Sequence, residues 1–341
     1  MQKLTRRSAL AGLALACLAG SAQAQSLEEL YKTKQLSLLV FSGAGSTYDL
    51  YARLLSRHLG NHLPGKPLVV VQYMVGAGGL KLIDYMNRIA PKDGSVIASV
   101  GRGLPFEPML GKNEVNFDPL KLGWLGSMNR ETTIALAWNK SKVKTFDDLQ
   151  KYDLLVPGTG AGADSEIMPR AYNNLAGTKF KIISGYRETT EASLQLETGE
   201  LEGIAYWSYS AIMSAHPDWL RDKKVNIIFQ TGKRDFPGYP NVPGIQDKVQ
   251  DKTDRAALEF LLDREPLGRP FFVPPGMAPD RFKILRDAFE ATLKDPEFLQ
   301  DAERGKIETE LVTGAQIDEI LKTAANASPE VLDRVKKVLD R

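Results

Sequence analysis

The stretch LSLLVFSGAGSTYDLYARLLSRHL, residues 36–59, decides the fold of this chain. It opens with a largely apolar run, residues 36–41, which has the length of a buried strand. Residues 42–47 (SGAGST) form a glycine-bearing turn, and residues 48–59 have helical periodicity. A strand, a glycine turn and a helix in this order place backbone N–H groups at the positive end of a helix dipole. The stretch therefore predicts a binding site for an anion such as phosphate, sulfate or carboxylate.

Residues 1–24 have the features of a secretory signal peptide. Lys3, Arg6 and Arg7 form a positive start, residues 9–20 an apolar core, and residues 22–24 (AQA) a small-x-small cleavage site. The apolar core is shorter than the ~20 residues that cross a bilayer. We expect cleavage before residue 25 and export to the periplasm by the Sec route or, given the paired arginines, the Tat route.

Composition excludes several classes of function. Hydrophobic residues make up 43% of the chain and charged residues 25%, which is typical of a globular protein. Without the three basic residues of the signal, the chain has 41 of its 44 basic residues and 42 acidic residues, which gives a net charge of about −1. This balance gives no electrostatic basis for binding nucleic acid. The single cysteine, Cys17, lies in the apolar core of the signal and poorly matches a lipoprotein site, so we expect no disulfide or thiol chemistry in the mature chain.

The order of strand, turn and helix recurs along the mature chain in two regions. Further strands are expected over residues 68–72 and 95–100, and then over residues 154–157, 180–184 and 204–207. Such alternation predicts an α/β protein whose mostly parallel sheets are flanked by helices and bind ligands at the carboxyl ends of the strands. Amphipathic helices are expected near the C-terminus, over residues 254–262, 279–293, 296–303 and 329–339.

These elements predict two α/β domains. Residues 25–139 are expected to form the first segment of domain 1, and residues 140–228 domain 2. Residues 229–341 are expected to return to domain 1, with C-terminal helices that can pack across both domains.

Seven short motifs occur in an order that is found in one known family. Residues 41–53, with Gly45, Asp49 and Arg53, are similar to its Phe-x-x-Gly-Gly…Asp…Ala-Arg segment, and residues 71–79 to its Val-Glu-Asn…Gly-Ala-Gly-Gly loop. The other matches are residues 90–94 (APKDG), 143–149 (VKTFDDL), 158–165 (GTGAGADS), 199–202 (GELE) and 274–279 (PPGMAP). The chain thus resembles the Bug family of periplasmic solute-binding proteins, the receptors of tripartite tricarboxylate transporters.

The resemblance implies a type II-like periplasmic-binding-protein fold, with two domains that close on a ligand in the cleft between them like a Venus flytrap. It implies an extracytoplasmic receptor that captures a small organic acid and delivers it to the membrane subunits of a tripartite tricarboxylate-type transporter. A monomer without a cofactor and without catalytic activity is expected. Two other classes stay open: an exported hydrolase that uses the same cleft, and a ligand-sensing subunit of a signalling system.

The residues expected to bind the ligand lie at strand ends in both domains. Domain 1 contributes residues of two glycine turns and of the third strand end, namely Gly43, Ala44, Ser46, Thr47, Tyr48, Gly76, Ala77, Gly78 and Arg102. Domain 2 contributes Thr159, Gly160, Ser165, Tyr186 and Trp207. Backbone amides and hydroxyls would hold the carboxylate. Arg102 is the candidate for a charge-assisted hydrogen bond, with a hinge ion pair as the alternative.

Other chemistries lack the residues that they require. Gly43 and Gly45 supply two glycines of a dinucleotide-binding fingerprint, but Tyr48 occupies the third position and Gln72 replaces the acidic ribose ligand. His58 and residue 62, also histidine, have the spacing of a metal site, but no third ligand is nearby. No nucleophile elbow is present. We therefore expect no catalytic residue, no metal and no cofactor.

Overall fold

A computed structural model describes residues 26–111, 117–160, 163–186 and 191–339. The predicted signal peptide with Cys17 lies outside the described residues, as do residues 161 and 162 of the glycine turn in domain 2. Among the described helices, none is long and apolar enough to cross a membrane.

Among the described residues, the first sheet has six strands, namely β1 Leu36–Val40, β2 Val69–Tyr73, β3 Val96–Ser99, β4 Gly123–Ser127, β10 Pro270–Val273 and β11 Val312–Thr313. Their order across the sheet is β11-β4-β10-β3-β1-β2. Strand β1 pairs in parallel with β2 and β3, whereas β10 is antiparallel to β3 and β4. Every residue of β3 is buried, as expected for a strand that helices cover on both faces.

The helices of this first sheet are set by capping residues as well as by apolar faces. They are α1 Leu27–Thr33, α2 Thr47–His58, α3 Leu80–Arg88, α10 Pro279–Thr292, α11 Pro296–Arg304 and α12 Gly314–Ala325. Helix α12 was not predicted, although Thr313 and Gln316 form a capping box at its start. The sequence did not indicate this helix, because its first residue, Gly314, is a poor helix former.

The second domain is built on strands β5 Thr133–Trp138, β6 Leu154–Gly158, β7 Phe180–Ser184, β8 Gly203–Ser208 and β9 Val225–Gln230. Strands β8, β5 and β9 form one antiparallel sheet, and β6 pairs in parallel with β7. The two sheets adjoin, because the N–H of Glu202, just before β8, donates to the carbonyl of Leu155 in β6 at 2.9 Å. The helices are α4 Phe146–Leu149, α5 Asp164–Ala176, α6 Ser193–Thr198, α7 Tyr209–Ala215 and α8 Pro217–Arg221.

The chain crosses between the sheets through residues 128–132 and 263–269. The crossings are joined by the N–H of Met128, which donates to the carbonyl of Arg269 at 3.0 Å, and by that of Glu131, which donates to the carbonyl of Glu265 at 2.9 Å. Strand β5 pairs with β8 and β9, so residues 133–138 lie with the second sheet and not with the first segment of domain 1. We therefore propose that domain 2 begins at the first crossing rather than at residue 140.

The segment after β9 also stays with the second domain before the chain returns. Gln230 bridges to Gly244, and Thr231 donates its N–H to the carbonyl of Thr133 at 2.9 Å. Helix α9 Lys252–Leu262 follows and packs on α5. We therefore propose that the return to domain 1 begins near residue 263 and not at residue 229.

The last helix, α13 Pro329–Val338, packs against both domains. It contacts α9, α5 and the 3-10 helix Leu104–Leu110 of the first domain. Asn174 of α5 donates its side-chain amide to the carbonyl of Val338 at 2.9 Å. The predicted α/β fold with two domains is confirmed. Its sheets are mixed rather than mostly parallel as expected, because β10 and β11 pair antiparallel in the first sheet and β8, β5 and β9 form an antiparallel sheet in the second domain.

Candidate functional site

The carboxyl edges of the two domains meet at Arg102. This residue follows β3, and its guanidinium reaches Asp164, the first residue of α5, with 3.4 Å between Nε and Oδ2. It also donates to the hydroxyl of Ser208, the last residue of β8, at 3.3 Å. The turns that follow β1, β2 and β3 therefore face those that follow β6 and β8. We take the cleft between these turns as the candidate site.

The turn after β1 presents the N-terminus of α2. Ser46 caps the helix, because its hydroxyl accepts a hydrogen bond from the N–H of Asp49 at 3.2 Å and lies 2.7 Å from the hydroxyl of Ser42. Among the described residues, nothing accepts a hydrogen bond from the N–H groups of Thr47 and Tyr48. These are two of the first-turn donors that a helix leaves unpaired, and they lie at the positive end of its dipole.

Asp49 orders this turn. Its carboxylate accepts hydrogen bonds from the N–H of Gly45 and the hydroxyl of Tyr73, both at 2.8 Å, and pairs with Arg53 at 2.9 Å. Burial raises the pKa of Asp49, but the hydrogen bonds from Gly45, Tyr73 and Arg53 outweigh it and leave the pKa below its ordinary value. The carboxylate of Asp49 is thus bound by groups of the chain itself.

Gly43 has a geometry that no contact with the described residues explains. A Cβ atom added there would have no neighbour within 4 Å, and its φ is not in the left-handed region. Among the glycines of the described residues, only Gly43 combines these two properties. A glycine without an internal reason is typical of a place where a ligand approaches the backbone closely.

The turn after β2 is a run of left-handed residues. The φ values of Gly76, Ala77, Gly78 and Gly79 are 151°, 47°, 63° and 101°. Ala77 and Gly78 are exposed at the edge of the sheet, so their backbone is accessible to a ligand. Ala77 adopts a conformation that side chains rarely take, which indicates that the surrounding turn holds it there.

The residues described after β6 share two features with the turn after β1, namely a pair of hydroxyls in contact and an acid at the third position of the following helix. The hydroxyls of Thr159 and Ser165 lie 2.8 Å apart, and Ser165 also accepts the N–H of Thr159 at 3.0 Å. The N–H of Gly160 donates to Glu166, the third residue of α5, at 3.2 Å, and Glu166 pairs with Arg170 four residues later. In α2, Asp49 is likewise the third residue and pairs with Arg53 four residues later. The cleft thus has a similar turn and helix start on each side.

Arg102 is an internal ion pair rather than a free cation. It is 6% exposed, lies 3.4 Å from Glu265, and stacks 4.8 Å from the ring centre of Tyr206. Burial lowers the pKa of Arg102, but Tyr206, Glu265 and Asp164 raise it by more than burial lowers it. The pKa of Arg102 therefore lies well above its ordinary value. Of the two predicted roles, the structure favours the hinge ion pair, because the charge is already compensated within the chain.

The comparisons with known proteins agree with this architecture. No family model matches the chain. A UPF0065 protein of Bordetella bronchiseptica is 26% identical over 261 residues, which cover 73% of this chain and 72% of that protein. The solved structure of the periplasmic binding protein BugD matches with a TM-score of 0.68 and 19% identity, over 90% of this chain and 98% of that one.

The chain has the fold of the Bug-type periplasmic binding proteins. A TctC solute-binding protein from Polaromonas, with no ligand, matches with a TM-score of 0.64 and 17% identity, over 91% of this chain and 99% of that one. MatC from Rhodopseudomonas palustris, with bound malate, matches with a TM-score of 0.66 and 16% identity, over 90% and 99%. The resemblance seen in the sequence motifs is confirmed at the level of the fold.

Within this Bug-type fold, Trp207 does not reach the cleft. It is 5% exposed and packs in the core of the second domain, 5.9 Å from the rings of both His216 and Trp219. Successive strand residues point to opposite faces. In β8, Tyr206 therefore faces the hinge, where its hydroxyl donates to Glu265 at 2.6 Å, while Trp207 faces the core. This burial argues against the predicted contact between Trp207 and the ligand. That contact stays a prediction, as does the one of Tyr186, which is half-buried next to residues outside the described range.

The charged residues at the base of the cleft were not expected from the sequence. Arg264 donates to Oδ1 of Asp164 at 2.6 Å, and Glu265 joins Arg102 to Tyr206. Asp164 lies within the glycine motif of residues 158–165 and was visible there. Arg264 and Glu265 carry no local signal, because they lie 100 residues further along the chain and reach the cleft only through the second crossing.

Proposed function

We propose that the chain is an extracytoplasmic solute-binding receptor that captures a small organic acid by hinge closure. The observation that carries this proposal is the pair of similar turns and helix starts that face each other from the two domains. In the first, the N–H groups of Thr47 and Tyr48 and the open approach at Gly43 suit a carboxylate. The fold shared with malate-bound MatC supports the choice of an organic acid.

Closure follows from contacts that a ligand makes with both domains at once. A ligand held by the turn of residues 42–46 and by Thr159 or Ser165 binds the closed form more tightly than the open form, which shifts the population toward closure. The two crossings, residues 128–132 and 263–269, are the segments through which such a hinge motion would run. Exclusion of water would then strengthen each hydrogen bond to the carboxylate.

We further propose that the receptor works in the periplasm as a monomer and delivers its ligand to the membrane subunits of a tripartite tricarboxylate-type transporter. The predicted signal peptide and the periplasmic proteins of the same fold support this location. Its structural neighbours are solute-binding proteins, which supports binding without catalysis. A hydrolase would use the same cleft to cleave the ligand. A sensing subunit would bind the ligand there without delivering it to a transporter.

The proposal is tested by thermal shift of the predicted mature chain, residues 25–341, against mono-, di- and tricarboxylates, including aromatic acids. An acid at about 100 times its Kd adds about 2.7 kcal/mol to the free energy of unfolding, which gives a visible rise in Tm. The uncharged amides of the same acids are the matched controls. Receptor function requires that the acid is recovered unaltered; a hydrolysed ligand would favour the enzyme, and no response to any acid would contradict the proposal.

A further inference from the structure

The two helix starts differ in charge at their first residue. In α2 the first residue is Thr47, whereas in α5 it is Asp164. The third residue of each helix is an acid that pairs with an arginine of its own helix, so these charges match. Asp164 is therefore an additional carboxylate that only the second helix start carries.

The partners of Asp164 come from outside its own helix. Arg264, from the second crossing, lies 2.6 Å from Oδ1, and Arg102, from the first domain, lies 3.4 Å from Oδ2. Arg102 lies equally close to Glu265. Two arginines thus face two carboxylates and the four charges compensate one another. Both arginines are buried, while a quarter of the Asp164 side chain stays accessible.

This arrangement makes the two helix starts unequal for an anion. The positive end of a helix favours one carboxylate, and at α5 the chain supplies that carboxylate itself. A second anion in the cleft would meet the carboxylate of Asp164, because this side chain is accessible while both arginines that pair with it are buried, and a like charge disfavours that anion. At α2, by contrast, Asp49 accepts hydrogen bonds from Gly45 and Arg53, and among the described residues nothing accepts a hydrogen bond from the N–H groups of Thr47 and Tyr48.

We propose that the ligand is a monocarboxylic acid and that Asp164 sets this selectivity. The carboxylate of the ligand binds at the first turn of α2. The other end of the ligand is an uncharged group that donates a hydrogen bond toward Asp164 and the hydroxyls of Thr159 and Ser165. This inference rests on the receptor function proposed above and names the class of acid that the receptor selects.

The test compares each dicarboxylate with its own monoamide, which has the same length but one charge less. Succinate and succinamate, and glutarate and glutaramate, are titrated calorimetrically into the predicted mature chain, residues 25–341. We expect the monoamide to bind at least about tenfold more tightly than the diacid in the pair that fits the cleft, which corresponds to about 1.4 kcal/mol.

A variant then assigns the selectivity to Asp164. Asp164→Asn removes the charge and is expected to lower the preference for the monoamide by about tenfold, mainly because the diacid gains affinity. Asp254→Asn is the matched control, because Asp254 pairs with Arg334 between α9 and α13, away from the cleft. A merely structural role of Asp164 would change both affinities by the same factor and leave their ratio unchanged, which would overturn the assignment.

The outcomes separate this inference from the proposed function. A parent chain that binds the diacid more tightly than its monoamide overturns the inference but leaves the receptor function intact. A chain that binds no acid overturns both. If Asp164→Asn does not fold, the ratio of the two affinities in the parent chain decides the question, and Asp164→Glu must keep that ratio.

Discussion

At Gly43, no contact with the residues that the structure describes requires a glycine. Gly45, two residues later, has a φ of 84°, so its backbone needs glycine, whereas Gly43 has open space and an ordinary backbone. The two glycines of one turn thus serve different purposes. We interpret Gly45 as a glycine that the backbone of the turn requires, and Gly43 as a glycine that lets a ligand approach the backbone.

Substitution of these two glycines should separate stability from affinity. Gly43→Ala is expected to leave Tm unchanged and to weaken binding of the selected acid by about tenfold or more, because the methyl group occupies the approach to the backbone. Gly45→Ala is expected to cost on the order of 1 kcal/mol of stability, because alanine is strained at positive φ. Thermal melts and titration calorimetry on both variants check this. Unchanged affinity in Gly43→Ala would place the ligand elsewhere.

Asp263, at the end of α9, gives a prediction about pH. Burial raises its pKa to about 6, Glu259 adds to the rise, and Arg264 opposes it. Because this pKa lies above the ordinary value of 3.8, stability that is present at lower pH is lost as the pH rises through about 6. Asp263→Asn removes this loss. We expect the variant to gain on the order of 2 °C in Tm over the parent chain at about pH 8.

The same comparison at about pH 4 should show little difference, because the carboxyl of Asp263 is then mostly protonated in the folded state. Asp333→Asn, an exposed substitution on α13, is the control for a general effect of removing one negative charge. A gain in Tm that is equal at both pH values would show that Asp263 does not titrate as inferred.

At the scale of elements, the cleft depends on how a helix begins. Helix α2 has 12 residues and a serine cap, so its first turn presents N–H groups whether or not a ligand is bound. Proline is well tolerated at the first position of a helix, because the missing N–H has no partner within the helix. Ser46 has a ψ of 161°, which is compatible with a following proline.

Thr47→Pro therefore removes one candidate donor without breaking the helix. We expect the variant to fold with a similar Tm and to lose affinity for the selected acid by about tenfold, the cost of one charge-assisted hydrogen bond. Lys252→Pro makes the same change at the first position of α9, which also has a capping aspartate in extended conformation. This control should keep the affinity of the parent chain. Equal affinities in both variants would contradict binding at α2.

At the scale of the whole molecule, the domains are held together by a buried core and by buried charges. One hydrophobic cluster contains Leu39 and Met86 of the first domain, Tyr172 and Phe229 of the second, and Val335 of α13. The ion pairs of Arg102, Arg264, Asp164 and Glu265 lie at the base of the cleft. Burial raises the pKa of Glu265, although Arg102 and Tyr206 lower it, so this carboxylate depends on its partners.

Arg102→Gln should weaken both the fold and the contact between the domains that Arg102 makes with Asp164 and Ser208. Removing one partner of a buried ion pair leaves Glu265 uncompensated, for which we expect a loss of about 3–5 kcal/mol in the free energy of unfolding. The double variant Arg102→Gln, Glu265→Gln should recover part of it. Denaturant unfolding measures the first effect, and small-angle scattering should show a larger radius of gyration for Arg102→Gln without ligand. A loss below about 1 kcal/mol would mean that the pair is solvated.

The sequence alone determined the local elements and the class of fold. Helices were expected over residues 279–293 and 329–339, and α10 and α13 agree with these ranges to within one residue at their ends. Proline marks the start of each, and apolar residues recur with helical spacing, so the signal is local. The glycine turn at residues 42–47 was predicted for the same reason, because its strand, cap and helix are contiguous.

Only the tertiary structure decided which strands share a sheet and which charges share the cleft. Strand β5 follows the first domain in sequence but pairs with β8 and β9, because hydrogen bonds between strands depend on position in space and not on chain order. Trp207 and Tyr206 are neighbours in sequence but face the core and the hinge. Arg102, Asp164 and Glu265 come together from three separate segments, and no local pattern encodes a contact that the fold itself must create.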